Sequence, residues 1–114
     1  MTPVDNDVRV VVVLITGPDY ETTRAMAHYL VQERLAACVN VLEGVTSVYR
    51  WQDSVEETRE ALAIMKTTPE RLSTLKTRVI ELHPYDVPEF LVLPVSEGAK
   101  PYLDWVADSV RPAL

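Results

Sequence analysis

The chain of 114 residues is 47% hydrophobic and 25% charged, the size and balance of one compact globular domain and not of a disordered or low-complexity chain. Eleven basic against 17 acidic residues leave a net charge of −6, and no run of Lys or Arg concentrates positive charge, which argues against nucleic acid or an anionic membrane surface as a partner. The single cysteine, Cys38, excludes an intrachain disulfide framework and any CxxC pair, and a reducing cytoplasm fits that usage.

Residues 1–7 are polar and acidic and lack the cationic start and apolar stretch of a secretory signal. They read as a disordered lead-in to one domain over residues 8–114. Arg9 to Thr16 is a β-branched run ended by Gly17-Pro18, the pattern of a strand buried on both faces in mid-sheet. It is far too short to cross a bilayer. Asp19 is placed to cap an amphipathic helix running to about Arg34, with Met26, Ala27, Leu30 and Val31 on its apolar face and His28 toward solvent. Ala36 to Arg50 returns to β character, with Gly44 as a bulge or bend, and a turn over Trp51 to Ser54 leads into a second extended segment, Val55 to Thr67. Thr68 and Pro69 open the next helix, whose stripe is Leu72, Leu75, Val79 and Leu82, and His83-Pro84 stops it. A last strand over Glu89 to Val95 and a short helix from Pro101 complete the order β-α-β-β-α-β-α. The fold class is α+β: a ferredoxin-like βαββαβ sandwich with a long central hairpin and an added C-terminal helix.

As a strand, Ala36 to Trp51 spans roughly 50 Å at ~3.3 Å per residue. A compact chain of this length has a radius of gyration of roughly 13 Å. The hairpin therefore overhangs its own domain, carrying Tyr49 and Trp51 near the tip, and its open edges call for a second copy.

Arg34 to Asn40, Ser47-Val48-Tyr49-Arg50-Trp51, Lys66-Thr67-Thr68 and His83-Pro84-Tyr85-Asp86-Val87-Pro88-Glu89 together resemble the CutA family of divalent-cation tolerance proteins. The resemblance runs from about Val11 to Trp105. It implies a ferredoxin-like protomer, a tight homotrimer paired through long hairpins, a cytoplasmic location and a role in handling copper or other divalent ions, with no enzymatic reaction.

Two residues are candidate metal ligands. Cys38 is either a soft ligand or a small buried hydrophobe on a strand. His83 is either a ligand, a reading the resemblance strengthens to parity, or a helix-end residue bonded to backbone. Family members credited with copper binding carry a further cysteine and a second histidine where this chain has Ile15 and Leu82, so the expectation is weak Cu²⁺ binding centred on His83, completed across a subunit boundary. Lys66 and Glu89, at strand ends that can meet, read in two ways: as a structural ion pair tying helix ends to the sheet, or as part of a polar cleft at the subunit boundary lined by Arg34, Trp51, Glu60, Lys66, His83, Tyr85 and Glu89. Phosphate loops and HExxH, GxSxG and EF-hand motifs are missing from the sequence. The leading expectation is a metal-binding trimer; the alternative is a regulatory trimer of the PII type that takes a small anionic metabolite in its inter-subunit clefts.

Overall fold

The computed structural model describes residues 9–113; the expected disordered lead-in over residues 1–7 lies outside them. The elements are β1 (Val11–Gly17), α1 (Tyr20–Gln32), β2 (Cys38–Trp51), β3 (Ser54–Thr67), α2 (Leu72–Leu82), β4 (Leu91–Pro94) and α3 (Lys100–Ser109). A 3₁₀ turn over Pro69–Arg71 precedes α2. The strands form one four-stranded sheet in the order β2-β3-β1-β4, with every neighbouring pair antiparallel. This is the ferredoxin-like arrangement with an added C-terminal helix.

Local chemistry accounts for most boundaries. The Asp19 carboxylate accepts from the Thr22 amide at 2.7 Å and caps α1 as expected. Arg34 follows α1 with φ of 62°, the left-handed turn that ends the helix, and Leu35 donates back to the Leu30 carbonyl at 2.9 Å. Thr68 makes no side-chain cap, contrary to expectation; proline at the first helical position and the 3₁₀ turn start the helix instead. The β2–β3 hairpin closes through Gln52 and Asp53, both at positive φ, a tight turn whose twist matches the strands. The last strand is shorter than expected, because it pairs with β1 only from Leu91 to Pro94, and Glu89 stays in the preceding loop.

Both α1 and α2 lie on one face of the sheet. Between them Val13, Ile15, Leu30, Met65, Leu75 and Val79 are essentially sealed from solvent. Val106 and Val110 of α3 close a second cluster with Val10 and Ala37. Two expectations are corrected here. Val31 faces solvent, 42% exposed, and Thr23 takes the buried place instead. The strand β1 is central, yet its burial alternates, so only Val11, Val13 and Ile15 are enclosed while Val12 and Leu14 stay half-exposed. Register places Val12, Leu14, Leu62, Ile64, Leu91 and Leu93 together on the face opposite α1 and α2, which α3 covers only at its Val10 end. An apolar face of this kind on a protomer marks a contact surface.

The hairpin overhangs as its length demands. The molecule measures 50 × 33 × 22 Å with a radius of gyration of 15.5 Å, longer and thinner than a compact chain of its size. A bulge between Leu42 and Val45, with Gly44 at φ of 74°, inserts one residue into β2. It exchanges the strand's faces, so that Ser47, Tyr49 and Trp51 continue the side begun by Cys38, Asn40 and Leu42.

Gly17 is required for space where β1 meets α1. A Cβ there would overlap the Thr23 hydroxyl, which is committed to the Asp19 carbonyl at 2.8 Å. Gly17→Ala should lower stability by about 1–3 kcal/mol through overpacking. Denaturant unfolding checks this, and an unchanged midpoint would show that the contact yields freely.

Candidate functional site

At the pole where β1 ends and the overhang begins, a cleft of about 840 Å³ opens between the hairpin and the loop joining α2 to β4. Thr16, Tyr49, Trp51, Glu60, Tyr85 and Glu89 contribute to its lining, with Asp86 and Arg59. Trp51, Glu60, Tyr85 and Glu89 thus come together as expected. Arg34 and Lys66 do not. Arg34 lies beyond the far end of α1, where its carbonyl accepts from Arg71 Nε at 3.3 Å. Lys66 pairs in register with Val12 and Cys38, near the start of β1, while the cleft lies at its end. The expected Lys66–Glu89 ion pair is therefore absent: Lys66 Nζ donates to Asn40 Oδ1 and lies 3.9 Å from Cys38 Sγ. The two groups belong to opposite ends of the sheet, which strand order by itself could not reveal.

His83 sits under the cleft floor, 7% exposed. Its Nε2 lies 2.6 Å from the Thr16 carbonyl, and its Nδ1 accepts from the Tyr85 amide at 3.1 Å. A carbonyl can only accept, so this network assigns the proton to Nε2 and leaves Nδ1 as the acceptor. Both nitrogens are then engaged within the protomer, and a metal at either must displace a hydrogen bond. Cys38 is half-buried between the Lys66 ammonium, which repels cations, and the Tyr102 side chain of α3, with which it shares a hydrogen bond. It stands at the opposite end of the sheet from His83, so a single ion within one protomer cannot take both. Among the described residues, no cluster of three His, Cys, Asp or Glu side chains forms a metal cage.

The cleft's own charge is acidic. Tyr85 donates its hydroxyl to Glu60 Oε2 at 2.7 Å. Burial, then the bond to Glu60 and that residue's charge, hold the Tyr85 phenol well above its ordinary range. Burial first, and the neighbouring Glu60 carboxylate second, push the Glu89 carboxyl up. Among the described residues Glu89 has no hydrogen-bond donor or ion-pair partner, and Glu60 has only Tyr85. Two neighbouring carboxylates, one of them bonded to a neutral phenol, form an electrostatic sink for a cation. Residue types alone nominated Tyr85, Glu60 and Glu89; Tyr49 and Thr16 were missed as lining residues, because their place depends on the bulge at Gly44 and on the end of β1.

The raised Glu89 carboxyl has a consequence for stability. The native state holds the proton more tightly than the unfolded chain, so stability falls as pH rises from the ordinary carboxylate range through the raised native value. Glu89→Gln removes this loss. The variant should melt above wild type at neutral pH, and the difference should shrink as pH falls below about 4.3, the ordinary glutamate value. Thermal melts across pH 3–8 read the effect; a variant less stable than wild type at neutral pH would mean that Glu89 is paired favourably.

Comparison with known proteins agrees with this architecture. Residues 11–109 match the CutA1 divalent ion tolerance protein family. The divalent-cation tolerance protein CutA of Thermus thermophilus is 53% identical over 98 residues, spanning 86% of this chain and 95% of that protein. The crystal structure of CutA1 from Oryza sativa superposes with a TM-score of 0.89 at 40% identity, covering 93% of this chain and 97% of that one. The CutA structure from Archaeoglobus fulgidus, described as a periplasmic divalent cation tolerance protein, gives 0.86 at 30% identity and covers 90% and 99%. With sheet order, overhanging hairpin and sequence identity agreeing over nearly the whole described length, the chain belongs to the CutA1 family of divalent-ion tolerance proteins.

Proposed function

We propose that the protein is a cytoplasmic homotrimer that binds divalent cations in the cleft beside its uncovered sheet face, and that it acts as a binding protein and not as a catalyst. The observation that carries the cation reading is the Glu60–Glu89 pair, which faces the cleft without a positive partner among the described residues. Carboxylate oxygens suit divalent ions, and two of them with water or groups from a neighbouring subunit make a weak site. Copper(II) heads the Irving–Williams order and binds ahead of zinc and manganese. The same negative charge opposes the anionic-metabolite alternative, for which Arg59 is the one cationic lining residue. The free thiol of Cys38 suits a reducing compartment.

Trimer formation is supported by the bare apolar face and by two different free edges, β2 and β4, on one sheet. Edge-to-edge contact between unlike strands is heterologous, and a closed ring is the solution that leaves no edge open. The cleft adjoins that face, since Thr16 and Glu60 continue the rows of Leu14 and Leu62 along their strands.

Native mass should be three times the 12.9 kDa of one chain. Trp51 is 51% exposed in the protomer, so truncation is expensive only if another copy covers it. Trp51→Ala should then weaken assembly by roughly 3–5 kcal/mol, the loss expected for a buried tryptophan. Native mass spectrometry over a dilution series reads both, and a wild-type monomer or an unaffected variant trimer refutes the assembly.

Calorimetric titration with Cu²⁺, Zn²⁺ and Mn²⁺ tests the cation reading. Glu60→Gln and Glu89→Gln should each weaken Cu²⁺ binding by about tenfold or more, the loss of a charged ligand. Cys38→Ala should leave it unchanged. Binding should fall as pH drops through the carboxylate range, because a protonated carboxyl cannot coordinate. Full Cu²⁺ affinity in the Glu60→Gln, Glu89→Gln double variant refutes the site.

A further inference from the structure

We infer that His83 is a positioning residue for the cleft: it fixes the backbone of Tyr85, and Tyr85 holds the Glu60 carboxylate beside Glu89. The inference deepens the cation reading above and takes its functional meaning from it. Its geometry stands on the structure. The imidazole spans from the end of β1 to the loop after α2, bonded at 2.6 Å to the Thr16 carbonyl and at 3.1 Å to the Tyr85 amide. The rings of His83 and Tyr85 also pack together, with centroids 4.6 Å apart and planes tilted by 59°. From Tyr85 the chain continues through the hydroxyl to Glu60 Oε2 on β3 at 2.7 Å. A carbonyl on one strand thus reaches a carboxylate on another through a ring, a backbone amide and a phenol.

Each link has a chemical reason. Pro84 lies between the two aromatic residues and restricts the backbone that carries Tyr85. A neutral imidazole offers one donor and one acceptor at fixed separation, and both are used here. Tyr85 supplies a donor to Glu60 without adding positive charge, so one oxygen of that carboxylate is oriented and the negative charge of the cleft is kept. A lysine in its place would neutralise the site. Without His83 the Tyr85 amide loses its acceptor, the loop loses its tie to β1, and the phenol is no longer held against Glu60.

A structural role alone predicts lower stability and nothing else, so the test reads the far end of the relay. Glutamine carries a donor and an acceptor and can replace both imidazole bonds; leucine matches the bulk and replaces neither. In the ion-free full-length protein, the Tyr85 hydroxyl proton should exchange slowly with water by NMR in wild type and in His83→Gln, and should be lost to fast exchange in His83→Leu. Titration with Mn²⁺ should show binding weakened about tenfold in His83→Leu and in Tyr85→Phe, with the double variant no weaker than either, and retained in His83→Gln. A folded His83→Leu that keeps both the hydroxyl proton and Mn²⁺ affinity overturns the inference. Should His83→Leu not fold, the wild-type protein still decides: absence of through-hydrogen-bond coupling between the Tyr85 amide and His83 Nδ1 overturns it, and its presence together with the slow hydroxyl proton upholds it. If those signals behave as stated and wild type takes up no Mn²⁺ or Cu²⁺, the positioning role stands and the cation reading fails.

Discussion

The sheet carries apolar side chains on both faces; α1 and α2 cover one of them, and α3 closes the other only at its Val10 end. Everything distinctive about the molecule follows from that imbalance. Val13, Ile15 and Met65 meet α1 and α2 and form the core. Val12, Leu14, Leu62 and Ile64 point the other way and stay partly exposed, since α3 reaches only the Val10 end of that face. Apolar area left in water forfeits roughly 25 cal/mol for each Å² that could be covered. A second copy is the economical cover, since it brings an identical bare face and a complementary free edge. In the trimer proposed above, that face would receive its second layer from a neighbouring copy.

The hairpin shares this logic. Residues of β2 and β3 beyond Leu42 and Glu60 pair with each other and with little else, so their exposed side chains gain no core of their own. One inserted residue at Gly44 then decides what the overhang presents. Without it Thr46, Val48 and Arg50 would lie on the side now held by Ser47, Tyr49 and Trp51. The Gly44 φ of 74° is a conformation that side chains with a Cβ rarely adopt, which is why glycine occupies the turn of the bulge. The aromatic and acidic character of the cleft therefore depends on a backbone irregularity well removed from Glu89 in sequence.

Polar accounting separates the two poles of the uncovered face. At one, Lys66 is satisfied by Asn40 and stands near Cys38, an arrangement complete in itself. At the other, His83 is satisfied on both nitrogens, yet the chain of bonds it starts ends on a carboxylate with an unpaired neighbour. The closed pole fits a structural role, and the open pole is where a ligand would change the electrostatic balance. Histidine and cysteine attract attention as metal ligands by type. In this fold they are the groups already provided for, and the glutamates are those left wanting.

Periodicity, proline and capping residues were enough to read the element order, the long hairpin, the Asp19 cap, the bulge at Gly44 and the core stripe of α2, because each is written in side chains a few residues apart. The four cleft residues Trp51, Glu60, Tyr85 and Glu89 were nominated by residue type, and Glu89 also by its place at the start of an apolar run. Which pole each residue occupies was not legible. Lys66 was placed with Glu89 because strand ends look alike in a linear reading, and only register sends it to the opposite end; Arg34 was placed there too, although it follows the far end of α1. The apolar run of β1 was read as buried on both faces; sequence measures the tendency to be covered, whereas the tertiary structure shows that Val12 and Leu14 are only partly covered by their own chain. The role of His83 was likewise undecidable from type and neighbours. Its partners, Thr16 and Tyr85, are brought to its two nitrogens by a strand end and a loop that meet only when the sheet and α2 have packed.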